Sequence, residues 1–332
     1  MNSSSTGWRV LNALASLKFT LVIIIALALG VVAAYTSTVQ AVWGLVGPLL
    51  AFALNLTAAV VTNPIFRRQT FLLIFHLALI AIVLLLAIGR LTYLKGQLEL
   101  AEGEVFNGQL SQEERGPLHP LHLDALRISN EGFTVSYNKG LRRGDTRNRV
   151  AWTDANGQVR SEVIGDQKAL ILAGYRFYTS FNKGFAPAFI WQPNSGGPPM
   201  LGTVHLPAYP IHEYKQAIEW VPPNSKTPLW VMLQFDEVIL DPEKPSEFHL
   251  PTKYQMVVRS GDERHELKPG DSLQLADGVL VFEGLRSWMG YSVFYDLTLP
   301  WLLAAGLLAV ASLALHFWKK FSSRPWNVSD GE

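Results

Sequence analysis

One imidazole sits where hydrocarbon is expected. From Phe71 to Ile88 the chain reads FLLIFHLALIAIVLLLAI, and His76 is its only strongly polar side chain. An ionisable group in such a run is costly to bury unless a partner compensates, so by default it marks a working site. Neutral imidazole is a common metal ligand and a common axial ligand of haem iron. The competing reading is a packing role, with the ring bonded to a nearby carbonyl or to a polar group of another helix. The residues alone leave both readings open.

The remaining candidates are weaker. His119 and His122 in PLHPLHLD have a spacing that a metal site could use. The proline between them and the flanking strand signals argue against a shared helical face, so both read as loop residues. His205, His212, His249 and His265 are scattered and give no ligand pattern. His316 lies beside Lys319 and Lys320 and reads as an interfacial residue. Arg67 and Arg68 on one side of the His76 run, and Arg90 and Lys95 on the other, read as topology markers and snorkelling anchors. Glu102 and Glu104 read as a turn or strand edge rather than an acid pair. Tyr175, Phe177, Tyr178 and Phe181 read as filling of a β core.

Composition removes whole classes of chemistry. The sequence has no cysteine, so it offers no disulfide scaffold, zinc-thiolate site, iron–sulfur ligation or thiol nucleophile. It shows no nucleophile–base arrangement and no phosphate-cradling glycine loop, and it does not read as an enzyme acting through its side chains. A net charge of +1 gives no basic excess that would favour nucleic acid.

Four apolar runs must position His76. They cover about 19–35, 43–61, 70–91 and 297–317, and each approaches the roughly 20 residues needed to cross a bilayer. The first is long for a signal peptide and a second run follows at once, so it reads as a retained span. Arg9 and Lys18, the Arg67-Arg68 pair, and Lys319, Lys320 and Arg324 all fall on one side if both termini are cytoplasmic. His76 then lies roughly 8 Å inside the cytoplasmic end of the third span, at about 1.5 Å per residue.

The roughly 200 residues between spans three and four alternate β-type runs with turn signals such as Asn156-Gly157, Asn182-Lys183-Gly184, Asp241-Pro242 and Asp277-Gly278. The stretches 193–199 (PNSGGPP) and 221–228 (VPPNSKTP) read as surface loops. The expected fold is therefore a membrane α-helical protein with four transmembrane helices arranged 3+1, plus a large extracytoplasmic, mainly-β, sandwich-like domain. The expected parts are 1–93, with a cytoplasmic N-terminus and helices one to three; 94–292, the β-rich domain; 293–321, helix four; and 322–332, a cytoplasmic tail.

That order of parts, and several short segments, resemble the ResB family of cytochrome c biogenesis proteins. LASLKFTLVIIIALALGVVAA (Leu14–Ala34) is similar to the family's first helix, and LLAFALNLTAAV (Leu49–Val60) to its second. HLALIAIVLLLAIGRLTYLKGQLELAEGE (His76–Glu104) carries the most specific likeness, a histidine early in span three followed after the membrane by a strand ending in Glu102-Gly103-Glu104. ALILAGYRFYTSFNKG (Ala169–Gly184) and GYSVFYDLTLPWLLAAGLL (Gly290–Leu308) look like later landmarks.

The resemblance implies a non-catalytic subunit of System II haem delivery, an inner or plasma membrane protein. It implies haem b, held transiently with His76 as an axial ligand and as a metal site only through the haem iron. It also implies a ResC-type integral membrane partner that supplies the second ligand, apocytochrome c as the recipient, and membrane lipid around the spans. A different class of function fits the same layout: a structural or interaction subunit that anchors an extracytoplasmic complex and never touches haem, with His76 as a packing group.

Overall fold

A computed structural model describes residues 3–36, 41–120, 123–154, 156–210 and 215–322, the side chains of 3–5 and 41 excepted. Its helices are α1 (Ser3–Leu14), α2 (Leu17–Thr36), α3 (Ala41–Thr62), α4 (Ile65–Arg68), α5 (Thr70–Thr92) and α6 (Leu299–Phe321). The strands begin with β1 (Leu94–Ala101), β2 (Gln112–Arg115), β3 (Ile128–Asn138), β4 (Arg142–Thr153) and β5 (Val159–Gly165). They continue with β6 (Leu170–Leu172), β7 (Tyr175–Pro193), β8 (Met200–Thr203), β9 (Ala217–Trp220) and β10 (Leu229–Gln234). The last are β11 (Ser246–Glu247), β12 (Gln255–Ser260), β13 (Glu263–Leu267), β14 (Ser272–Leu275) and β15 (Gly278–Tyr295). The chain divides into a helical unit (Met1–Leu94, Arg115–Pro120 and Tyr295–Glu332) and a β unit (Lys95–Glu114 and Leu121–Phe294).

In the helical unit, α2, α3, α5 and α6 are long and apolar enough to cross a membrane. Their exposed surface is largely Leu, Ile and Val, as hydrocarbon contact requires. The fourth span runs on to Phe321, because Trp318, Lys319 and Lys320 stay helical at a level where long cationic side chains can snorkel. Packing between the spans relies on small residues. A Cβ on Gly30 of α2 would lie 2.1 Å from the Gly44 carbonyl oxygen of α3, so only glycine lets these two backbones approach so closely.

Asn55 of α3, 2% exposed, uses both ends of its amide. It accepts from Thr20 Oγ1 at 2.9 Å and donates to the Leu14 carbonyl at 2.5 Å. That pins the break between α2 and α1, a short helix that falls within the stretch expected only as a cytoplasmic N-terminus.

Three antiparallel-rich sheets build the β unit. The largest runs β2-β1-β15-β7-β6, with β14 on β15 and β8 on β7; the others run β13-β12-β10-β9 and β11-β3-β4-β5. Two turn readings need correction. Asn182-Lys183-Gly184 does not end a strand; β7 continues straight through it. Lys183 is only 1% exposed and points into the core, donating to the Tyr137 hydroxyl and, at 3.3 Å, to the Tyr209 carbonyl. Gly184 is small because Trp288 lies over it: a Cβ there would sit 2.6 Å from the indole nitrogen. A polar-looking tripeptide is thus a packed crossing point.

The second correction falls in 169–181, which reads as one run. It is a hairpin, broken at Ala173 and Gly174, whose φ angles of 49° and 85° give the tight turn that joins two twisted strands.

Candidate functional site

His76 stands on α5, half-buried, with its ring between two aromatic edges. The Phe66 ring of α4 is 4.6 Å away and the neighbouring Phe75 ring 5.3 Å, both edge-on. Nδ1 lies 2.8 Å from the Leu72 carbonyl oxygen, one turn back along the helix. A carbonyl only accepts, so Nδ1 carries the proton and Nε2 keeps its lone pair. Among the described residues, Nε2 has no hydrogen-bond partner. This is the tautomer and the orienting contact that a metal-ligating imidazole needs. The same carbonyl bond is also all that a packing histidine would require.

Arg67 and Arg68 occupy the last turn of α4, exposed and, among the described residues, without an ion-pair partner. They are the cations at the His76 end of α5. His316 is placed differently. Gly89 of α5 faces Thr298 of α6. Counting along both helices from that level puts His316 about 8 Å beyond His76, toward the end that carries Lys319 and Lys320 and more than one turn away. The His316 ring packs on Phe317 at 5.3 Å.

His119 is a loop residue with a structural bond. Its Nδ1 is 2.8 Å from the Thr92 carbonyl oxygen and its ring meets Tyr295 edge-on at 5.0 Å. With Gly116 N–H on the Tyr93 carbonyl and Leu118 N–H on the Leu91 carbonyl, it ties residues 115–120 to the end of α5. Arg90 stacks its guanidinium over Tyr93 at 4.5 Å. His249 and His265 lie within reach of Glu237 and Glu263, and His122 and His212 fall outside the described residues. Among the described residues, no group of three His, Asp or Glu side chains is placed to hold a metal ion.

One cluster escaped the sequence reading. His205, four-fifths buried, stacks on Trp288 at 5.7 Å and lies between two carboxylates. Nδ1 is 3.2 Å from Glu99 of β1 and Nε2 is 3.3 Å from Glu104, which also accepts the Ala101 N–H at 2.9 Å. Both ring nitrogens face acceptors, so the ring is an imidazolium. Burial alone would push its pKa down; the hydrogen bonds and charges of Glu104 and Glu99 outweigh that and raise it to about 9. Burial works against the charged form of Glu104 too, yet its hydrogen bonds from His205 and Ala101 hold it below the usual carboxylate range. Glu104, expected as a strand-edge residue, closes a half-buried ion pair. The partners lie about a hundred positions apart in sequence, and nothing in their local spacing announces them.

The sign of the linkage follows. The folded pKa of His205 is raised above the unfolded value of about 6.5, so its stabilisation is complete below that pH and is lost as pH rises through about 9. Thermal melts of the β unit are expected to lose on the order of 2–3 kcal/mol across this window. The loss should be absent in His205→Gln. A wild-type profile flat from pH 6.5 to 9.5 would show that the clamp is not charged.

No family model matches the sequence, and no curated protein matches it either. Among solved structures, the chain is similar to a protein described as cytochrome c haem lyase CcmF, at 12% identity and a TM-score of 0.30. That match covers 91% of this chain and 35% of the other, so this chain spans about a third of its neighbour's length. At that TM-score the likeness carries no argument.

Proposed function

We propose that this chain is a ResB-like membrane subunit of cytochrome c maturation that holds haem b through His76 and works beside a ResC-type partner to supply apocytochrome c. The observation that carries the reading is the fixed tautomer of His76: Nδ1 is committed to the Leu72 carbonyl, and Nε2 is left as a ligating lone pair inside a membrane-spanning helix. The resemblance of segments from Leu14 to Leu308 to ResB proteins supports the same assignment.

The residues present fit one half of a haem site. When bound, haem supplies an iron atom that accepts axial nitrogen ligands, and two propionates. Phe66 and Phe75 limit the tilt of the imidazole. Arg67 and Arg68, without an ion-pair partner among the described residues, are the cations nearest in sequence to His76 that would meet acid groups. His316 lies on another level, so the second axial ligand is assigned to the partner. In this reading both termini are cytoplasmic and the β unit extracytoplasmic, since Arg9, Lys18, Arg67, Arg68, Lys319 and Lys320 then share the cytoplasmic side. The chain's part is to bind and orient, and thiol reduction of apocytochrome c falls to another protein.

Haem content tests the reading. The chain purified with its ResC-type partner is expected to carry haem b near one per complex by pyridine haemochrome assay, and His316→Ala is expected to keep it. A complex that forms but carries no haem would favour the anchoring role instead.

A further inference from the structure

The β13-β12-β10-β9 sheet carries a binding feature that the haem reading does not use. A groove of about 1250 Å³ in the β unit is walled by Tyr209, Phe235, Tyr254 and Met232, with Gln216 among its lining residues. That is larger than the roughly 300–1000 Å³ typical of small-molecule pockets. Gln216 is 4% exposed, and its Oε1 has no hydrogen-bond partner among the described residues. Flipping the amide would not help: Nε2 donates to the Lys215 carbonyl at 3.2 Å, and an oxygen there would face another oxygen. A buried acceptor without a donor is costly, and it points at something that brings an N–H or O–H.

The strand that starts at the next residue supplies a second, independent observation. β9 is the last strand of the order β13-β12-β10-β9, so among the described residues its outer edge is unpaired. The bond from Leu233 N–H to the Gln216 carbonyl sets the phase against β10. Gln216, Ile218 and Trp220 bond inward, which leaves the backbone groups of Ala217 and Glu219 facing outward. Ile218 and Glu219 are exposed and offer no cover to that edge.

We propose that β9 and this groove together bind an extended polypeptide segment of another protein. The segment adds a strand outside β9, pairing with Ala217 and Glu219. It continues past Gln216, whose Oε1 accepts a backbone N–H, and lays an aromatic or branched side chain against Tyr209, Phe235 and Tyr254. Main-chain bonds give the affinity and the groove selects the side chain. The proposal does not depend on haem, and removing His76 leaves it unchanged.

The probe is a fluorescein-labelled dodecapeptide alternating threonine with valine and phenylalanine, titrated into the detergent-solubilised full chain and read by anisotropy. Glu219→Pro removes an outward N–H without touching β10 and is expected to weaken binding at least ten-fold, whereas Glu219→Val retains it. Gln216→Leu should weaken binding several-fold. The same peptide N-methylated at alternate residues, which perturbs nothing in the protein, should not bind. No saturable binding tighter than about 1 mM would overturn the proposal, as would equal binding of the N-methylated peptide. So would a concentration-dependent dimer formed without peptide and abolished by Glu219→Pro, which would assign the edge to a second copy.

Discussion

Asn148→Leu is expected to lower the stability of the β unit by about 3 kcal/mol, chiefly because the buried Tyr291 hydroxyl loses its partner. Asn148 is 0% exposed and sits between two sheets. Its Oδ1 accepts the Tyr291 hydroxyl of β15 at 2.8 Å. Its Nδ2 donates to Asn130 Oδ1 of β3 at 2.7 Å and to the Gly132 carbonyl at 3.0 Å. Asn130 in turn donates to the Leu100 carbonyl of β1 at 2.9 Å. The chain of bonds runs from the β1–β15 sheet to the β3–β4 sheet through groups that see no water.

Burial pushes the Tyr291 pKa up, so that group stays a neutral donor that must be paired. Leucine at position 148 orphans the Tyr291 hydroxyl and the Gly132 carbonyl, while Asn130 Oδ1 keeps its bond from Gly132 N–H at 3.1 Å. Urea unfolding followed by tryptophan fluorescence measures the loss. Adding Tyr291→Phe to Asn148→Leu removes one orphan and should recover part of it. A single-variant loss below about 1 kcal/mol would mean that the sheets do not rely on this network.

The membrane half of the fold was legible because bilayer thickness demands about 20 apolar residues, and four runs meet that demand with little else to explain them. The same uniformity made His76 visible as an outlier. The β unit was legible as a class and not in its details. Lysine beside asparagine and glycine usually marks a turn, but Lys183 is drawn inward by Tyr137 and the Tyr209 carbonyl, contacts that exist only after folding. Ala173 has no reason in its own chemistry to take a positive φ; the hairpin imposes it. The clamp of His205 by Glu99 and Glu104, and the Asn130–Asn148–Tyr291 network, join residues distant in sequence, and single-residue spacing holds no record of such meetings. Gln216 shows the same limit, since an orphaned acceptor is defined by its surroundings.

The second large effect concerns His76 itself. Cutting its side chain away removes Nε2 and leaves the α5 backbone intact, because the Leu72 carbonyl only accepted an extra bond from the ring. On the proposed reading, His76→Gly should therefore preserve the helical circular dichroism and the association with a ResC-type partner while losing the ligand. If Nε2 binds iron, free imidazole can occupy the vacated space between Phe66 and Phe75 and replace it. If His76 only packs, imidazole has nothing to restore.

The absorption spectrum of the co-purified pair in the Soret region separates these cases most directly. With haem bound in the wild-type complex, His76→Gly is expected to cut the Soret absorbance at least ten-fold, and millimolar imidazole added during expression should bring it back. An unchanged Soret band in His76→Gly, with no response to imidazole, would contradict the assignment of His76 as a haem ligand.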